Sequence, residues 1–372
     1  MNTIVKTISM GFALFAMFFG AGNLLFPLSI GQVGLDKNIF AMAGLIITAV
    51  GVPFLGVAAM MLFRGNVDSF FNRLGKYPAF LVITAIMGLI GPFYAIPRCM
   101  LLTYTALEHS FGVIPLTAYV VVGGLVLYVL TISQKRLLAV LGSILTPLLL
   151  LSITVFIYQG LTVPAQISHT AQSAGSLFKH GFVVGYQTLD LLAAFFFSRY
   201  IISGEQSKKQ GVVAAIIGAA LLGIVYTGLS FVAAKHAPLL INVPPEELLP
   251  RLSMALLGPV GGLVAILTVA LACLTTAITL SAVFADYLKE KIFINRISYK
   301  ASLGFTLVIA GVICHVGFGK LLAFMVPLLQ ICYPALILLT ILNIFYKMQN
   351  FKPVKMPVTA AFLVGLCAHF IY

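Results

Sequence analysis

Between Gly11 and Gly34 the chain reads GFALFAMFFGAGNLLFPLSIGQVG, an apolar stretch with helix breakers at its centre. A membrane span needs about 20 apolar residues, and this stretch is long enough. Its middle, however, is Gly20-Ala21-Gly22-Asn23, with Pro27 four residues on. Each Gly costs roughly 1 kcal/mol relative to Ala in a helix. Non-helical backbone at membrane depth survives only where it is buried in protein or lines a cavity. The stretch therefore reads as a discontinuous membrane helix whose break belongs to a binding site.

Composition says what surrounds that helix. Of 372 residues, 61% are hydrophobic and 8% charged, against about 25% charged in a soluble domain. The chain is an integral membrane protein. Its net charge of +13 would suggest a nucleic-acid partner in a soluble protein. Here the basic residues sit in short loops between apolar spans, where they set orientation, and no nucleic acid is expected. The five cysteines show no C-x-x-C spacing and the six histidines no cluster, so no metal centre or disulfide framework is indicated. Walker, G-x-G-x-x-G and G-x-S-x-G motifs are missing, which leaves ATP-driven transport and serine hydrolysis without support. No enzyme, cofactor or obligate protein partner is expected. The N-terminus superficially resembles a signal peptide, but it lacks a small-x-small cleavage site and runs on into the broken helix. It is read as part of the mature chain.

Eleven spans are expected, near 8–34, 39–63, 78–107, 115–132, 137–159, 178–202, 210–234, 255–288, 300–315, 320–346 and 356–371. Alternate connections carry Arg64, Arg73 and Lys76; Lys135 and Arg136; Arg199, Lys208 and Lys209; Lys289, Lys291, Arg296 and Lys300; and Lys347, Lys352 and Lys355. Those five hold 15 of the 22 Lys and Arg residues. The positive-inside rule then places the N-terminus in the cytoplasm. The longest connection on the other side, about 235–254, contains Pro238, Pro244, Pro245 and Pro250 and reads either as a solvated linker or as an external lid.

A second interruption falls in the sixth span, where Gly185-Tyr186-Gln187-Thr188-Leu189-Asp190 lies amid Phe, Val and Leu. A charge at a helix centre costs about 2.5–3.5 kcal/mol on insertion scales, so Asp190 must face the bundle interior or an aqueous cavity. It is either a buried charge paired with a basic residue such as Arg98 or part of the binding site. Interrupted helices thus occur at spans one and six. Five spans apart is an odd number, so a second copy of the unit enters from the opposite side, as in an inverted repeat whose broken helices meet at the midplane. The repeats would be residues 1–160 and 161–346, with an added span over 347–372. Half-helix N-termini favour a carboxylate and unwound carbonyls a cation or ammonium. A zwitterion suits both.

In the eighth span Thr275 and Thr276 are adjacent hydroxyls. One reading is that they bond their own backbone or a neighbouring helix; the other is that they join carbonyls of span one around a small hard cation. Arg98, in GPFYAIPR of span three, is a snorkelling or ion-paired residue or else an outer gate.

FALFAMFFGAGNLLFPLSIG, GPFYAIPR, GYQTLDLLAAFFFS and LACLTTAI together resemble the bacterial branched-chain amino acid:cation symporter family. The resemblance extends over most of the chain and implies an all-α polytopic bundle. Its core would be the five-plus-five inverted repeat of sodium-coupled leucine transporters. It also implies substrate binding at Gly20, Ala21, Gly22 and Asn23 opposite Gly185, Tyr186, Thr188 and Asp190. The cation would sit among carbonyls near Ala16 and Phe19 and the hydroxyls of Thr275 and Thr276. About twelve spans are usual in the family, so one span of the relatives is expected to be missing beyond Tyr372. The expectation is a bacterial inner-membrane importer of leucine, isoleucine and valine. Sodium would couple through the threonines, or a proton through Asp190. The rival is a membrane sensor or ligand-gated channel that uses the same pocket without coupled flux. An intramembrane enzyme is weaker, for want of a nucleophile–base or metal-ligand set.

Overall fold

In hydrocarbon every backbone N–H and C=O must be satisfied within the chain, and helices do this. A computed structural model describes residues 3–132, 146–166, 168–202 and 208–371. Lys135, Arg136 and the first part of the span expected over 137–159 lie outside the described residues. All regular structure among the described residues is helical. Among the described residues, six helical stretches are long and apolar enough to cross a membrane, and five shorter apolar helices accompany them. Many large apolar side chains face outward, Val129, Val312 and Phe324 among them, as a lipid-facing surface requires.

The first apolar stretch is two helices, α1 (Thr3–Phe18) and α2 (Ala21–Gly34). Next come α3 (Asn38–Ile46) and α4 (Val52–Leu62), joined through a π-helical turn over Ile47–Gly51. After the short α5 (Val67–Phe71), α6 (Lys76–Ile90) and α7 (Ala95–Phe111) are parted at Gly91 and Pro92, where the sequence predicts a bend. They are followed by α8 (Leu116–Thr131), α9 (Thr146–Thr162), α10 (Ala174–Tyr186) and α11 (Asp190–Ile202). The remainder is α12 (Lys208–Lys235), α13 (Leu248–Leu257), α14 (Pro259–Tyr287), α15 (Tyr299–Cys314), α16 (Phe318–Gln349) and α17 (Lys355–Ile371).

The packing places the two parted helices at the centre. α12 lies along both α1 and α2, α10 along α3, α11 along α4, and α14 along α7. Small residues let helix backbones approach in membranes, and the α3–α10 crossing depends on them. A Cβ on Gly181 would collide with the Ala41 carbonyl, and one on Gly44 with the Phe178 carbonyl. Thr48, in the π-helical turn, donates its hydroxyl to the Phe182 carbonyl at 2.9 Å.

The connection over 235–254 is neither a solvated linker nor one loop. Short 3-10 turns at Ala237–Leu240 and Pro245–Glu247 lead into α13, which buries Leu248, Leu249, Leu252 and Leu256. Gln32 of α2 donates to the Leu240 and Val243 carbonyls at 2.7 and 3.2 Å. The span expected from residue 255 begins instead at Pro259, because Gly258 turns the chain at φ 61°.

Outside the membrane-spanning segments, Asp36 ties the turn after α2 to residues 168–172. Its carboxylate lies 2.8 Å from His169 Nδ1 and accepts the Thr170 amide at 3.0 Å. The His169 contact first, then the Thr170 amide, holds the Asp36 carboxyl below its ordinary range. A depressed carboxyl stabilises above its unfolded pKa and is lost as pH falls through the folded one. Protection of the Thr170 amide against hydrogen exchange is therefore expected to persist near neutrality. It should decline under acid, and be absent throughout in Asp36→Ala.

Candidate functional site

α1 stops where the backbone extends at a position with no room for a side chain. Gly20 has φ −119° and ψ −160°, and a side chain there would collide with Thr276, its Cβ falling 2.5 Å from Thr276 Oγ1. Phe19 N still bonds the Phe15 carbonyl at 2.7 Å, and helix resumes when Leu24 N reaches the Gly20 carbonyl at 3.3 Å. The last carbonyls of a helix lack intrahelical partners. One of those at this gap, Phe19 O, accepts the Thr276 hydroxyl at 3.5 Å, the outer limit of a hydrogen bond. Thr275 instead bonds the Ala272 carbonyl of its own helix at 3.0 Å, the backbone contact that one sequence reading anticipates. No hydrogen bond among the described residues joins Ala16 to either threonine.

The second gap is closed by its own side chains. Thr188 Oγ1 donates to the Gly185 carbonyl at 3.0 Å and accepts the Asp190 amide at 3.4 Å, while Leu189 sits at φ 66°. A non-glycine residue in that left-handed region costs about 1–2 kcal/mol, so the surrounding packing must hold it there. Gly185 abuts Thr48, and the Tyr186 ring lies 4.8 Å from that of Tyr333, tilted by 31°.

The two gaps meet through one buried hydrogen-bonded group. Asn23 Nδ2 donates to Asp190 Oδ2 at 2.7 Å, and Tyr226 OH donates to the same oxygen at 3.3 Å. Asn23 also contacts the Tyr226 hydroxyl directly. Asn23, Asp190 and Tyr226 are 1%, 3% and 0% exposed, so their polar contacts are made within the protein.

Arg98 departs from one expectation. Ion pairs among the described residues include His169–Asp36, Arg251–Glu247 and Lys291–Asp68; Arg98 and Asp190 do not form one. Arg98 Nη1 donates instead to the Gln187 carbonyl at 2.7 Å, and the guanidinium lies 5.0 Å from the centre of the Tyr94 ring and against Gly22. The reason is local: α10 ends at Tyr186, so Gln187 O has lost its helical partner and takes a charged donor.

Tyr226 is the member of this hydrogen-bonded group that the sequence reading missed. The available signal was a hydroxyl within 28 mostly apolar residues, because a buried Tyr OH usually finds a partner. The Ala272 carbonyl was missed as well, since backbone oxygens carry no sequence signature. Beyond the gaps, a cavity of about 560 Å³ is lined by Arg64, Asp68 and Lys291 together with Met87, Phe196 and Val283.

Residues 3–371 match the family described as branched-chain amino acid transport protein. The chain is 33% identical over 366 residues to the branched-chain amino acid permease BrnQ of Bacillus subtilis, covering 91% of this chain and 82% of that protein. Its fold is similar to that of a nucleobase-cation-symport-1 family transporter in a closed conformation with bromovinylhydantoin bound. The TM-score is 0.69 at 14% identity, over 98% of this chain and 90% of that one. It is also similar to a Na+-coupled sialic acid symporter in a substrate-bound outward-open state, with TM-score 0.57, 14% identity and the same two coverages.

Proposed function

This chain belongs to the branched-chain amino acid transport protein family, and we propose that it imports leucine, isoleucine and valine by cation symport through the two helix gaps. It is a transporter and not an enzyme. The observation that carries the reading is the direct Asn23–Asp190 contact, which brings both interrupted segments to one buried point.

A zwitterion with an apolar side chain fits what those segments offer. The first amides of α2, at Ala21 and Gly22, present the positive end of a helix dipole to a carboxylate. Asp190 presents a charge of the sign an ammonium needs. Phe19, Leu24 and Leu189 are buried close by and suit a branched aliphatic side chain. Substrate entry would exchange the Asn23–Asp190 bond for bonds to substrate.

The coupling ion is taken as sodium. Phe19 O and the Thr276 hydroxyl already approach each other, and hydroxyl and carbonyl oxygens are the ligands a small hard cation requires. Thr275 would turn from the Ala272 carbonyl, and Ala16 O would complete the set. Thr275→Ala with Thr276→Ala is expected to lower sodium-dependent leucine uptake at least about tenfold at unchanged expression, since contacts to a charged group contribute about 1.5–3 kcal/mol. Undiminished uptake by that double variant would remove the hydroxyls from the ion site.

Eleven spans, a five-plus-five inverted repeat over 1–160 and 161–346, and an added span over 347–372 complete the proposed architecture. The basic loops face the cytoplasm of a bacterial inner membrane, with the N-terminus inside. The 560 Å³ cavity lies at the end carrying Arg64 and Lys291, which supports a path from the site towards that side. Alternating access would rock one bundle against the other around the gaps. Equilibrium leucine binding to purified protein tests the substrate assignment: isoleucine and valine should compete and lysine should not. Absence of leucine binding with and without sodium would overturn it.

A further inference from the structure

Away from the two gaps, α6, α16 and α17 enclose a second cavity of about 360 Å³. Its wall is nearly all hydrocarbon, from Ile86 of α6, Leu329 and Leu336 of α16, and Val358 and Phe362 of α17. The only charged side chain in that wall is Lys355. It is exposed, and its Nζ lies 3.9 Å from where a Cβ on Gly75 would stand, just before the first turn of α6. Two neighbouring cations are engaged: Arg73 donates to Asn343 and to the Phe351 and Lys352 carbonyls, and Lys347 covers the Phe63 ring. Among the described residues, no hydrogen bond or ion pair holds Lys355.

We propose that this groove binds an anionic phospholipid, one acyl chain lying along the apolar wall and the phosphate meeting Lys355. The volume falls in the range of about 300–1,000 Å³ typical of ligand sites. Water inside so apolar a slot would lack the partners that an ordered water needs, whereas bilayer lipid is at hand along the helix faces. A lysine at the end of the molecule that carries the basic loops, with no Asp or Glu beside it in the wall, selects an anionic headgroup over a zwitterionic one.

The site connects with the helix gaps by packing. Tyr333 and Leu192 belong to the groove wall. Tyr333 packs its ring against that of Tyr186, the last residue of α10, and Leu192 follows Asp190 by two positions. An acyl chain in the groove therefore supports the second gap from behind.

The test uses the full-length protein in detergent with phosphatidylglycerol carrying a diazirine on one acyl chain, and the labelled residues are mapped by mass spectrometry. Saturable labelling of the α16 and α17 wall is expected, displaced by unlabelled phosphatidylglycerol and reduced at least tenfold in both Lys355→Gln and Thr359→Trp. Both positions are exposed, so neither variant disturbs the core. Equal displacement by phosphatidylcholine or by oleate would overturn the anionic phospholipid. Labelling scattered over the lipid-facing surface and unchanged in both variants would overturn the site. Neither readout depends on which amino acid is carried.

Discussion

Asp190→Asn is expected to reduce leucine uptake by about 10–100-fold while leaving the protein folded. The amide is nearly isosteric with the carboxylate and can still accept from Asn23 Nδ2 and Tyr226 OH, which lie 2.7 and 3.3 Å from Asp190 Oδ2. What it removes is the negative charge. Hydrogen bonds to a charged group contribute about 1.5–3 kcal/mol, and each 1.4 kcal/mol is about tenfold, which sets the range. The loss should appear mainly as a higher KM for leucine if Asp190 meets the substrate ammonium. Tyr226→Phe, which removes the longer bond to Asp190 and the hydroxyl's contact with Asn23 but leaves the Asn23–Asp190 bond, should reduce uptake by about tenfold or less. Wild-type uptake by Asp190→Asn, measured at matched expression, would exclude the carboxylate from the site.

Gly181→Leu is expected to yield no monodisperse protein. A Cβ at this position meets the carbonyl of Ala41, and backbone on a packed helix cannot yield as the end of a flexible side chain can. Overpacking in an ordinary core costs typically about 1–3 kcal/mol. Here the whole of α10 would have to leave α3, taking with it the Thr48 bond to Phe182 O and the contact of Thr48 with Gly185. The second helix gap would lose its support. Gly124→Leu is the matched control, because nothing lies within 4 Å of a Cβ there. Size-exclusion profiles in detergent distinguish the two, and a Gly181→Leu variant that elutes and melts like the parent would contradict the close crossing.

The gaps were legible in the sequence because lipid makes them costly. Two glycines and an asparagine inside one apolar stretch, and a carboxylate inside another, are costly at membrane depth unless they are buried in protein or line a cavity. The threonine pair was legible as chemistry but not as geometry: Thr276 reaches Phe19 O while Thr275 bonds its own helix. Tyr226 was not legible, since its hydroxyl matters only once α12 packs along both α1 and α2. Nor was the partner of Arg98. A sequence displays two opposite charges, Arg98 and Asp190, but not the carbonyl that Gln187 leaves free when α10 ends. The Pro-rich segment hid α13 for another reason. The prolines drew attention to a loop, although Leu248, Leu252 and Leu256 recur every four residues, a helical spacing that buries one face.

Leucine uptake into proteoliposomes, with sodium and proton gradients imposed separately, tests the central claim most directly. Coupled transport through the site predicts leucine accumulation above equilibrium under the sodium gradient alone, lost when Thr275 and Thr276 are both alanine. Accumulation under the proton gradient alone would keep the carrier and move the coupling ion to Asp190. Leucine binding with no accumulation under either gradient would contradict symport and leave a sensor or ligand-gated channel in its place.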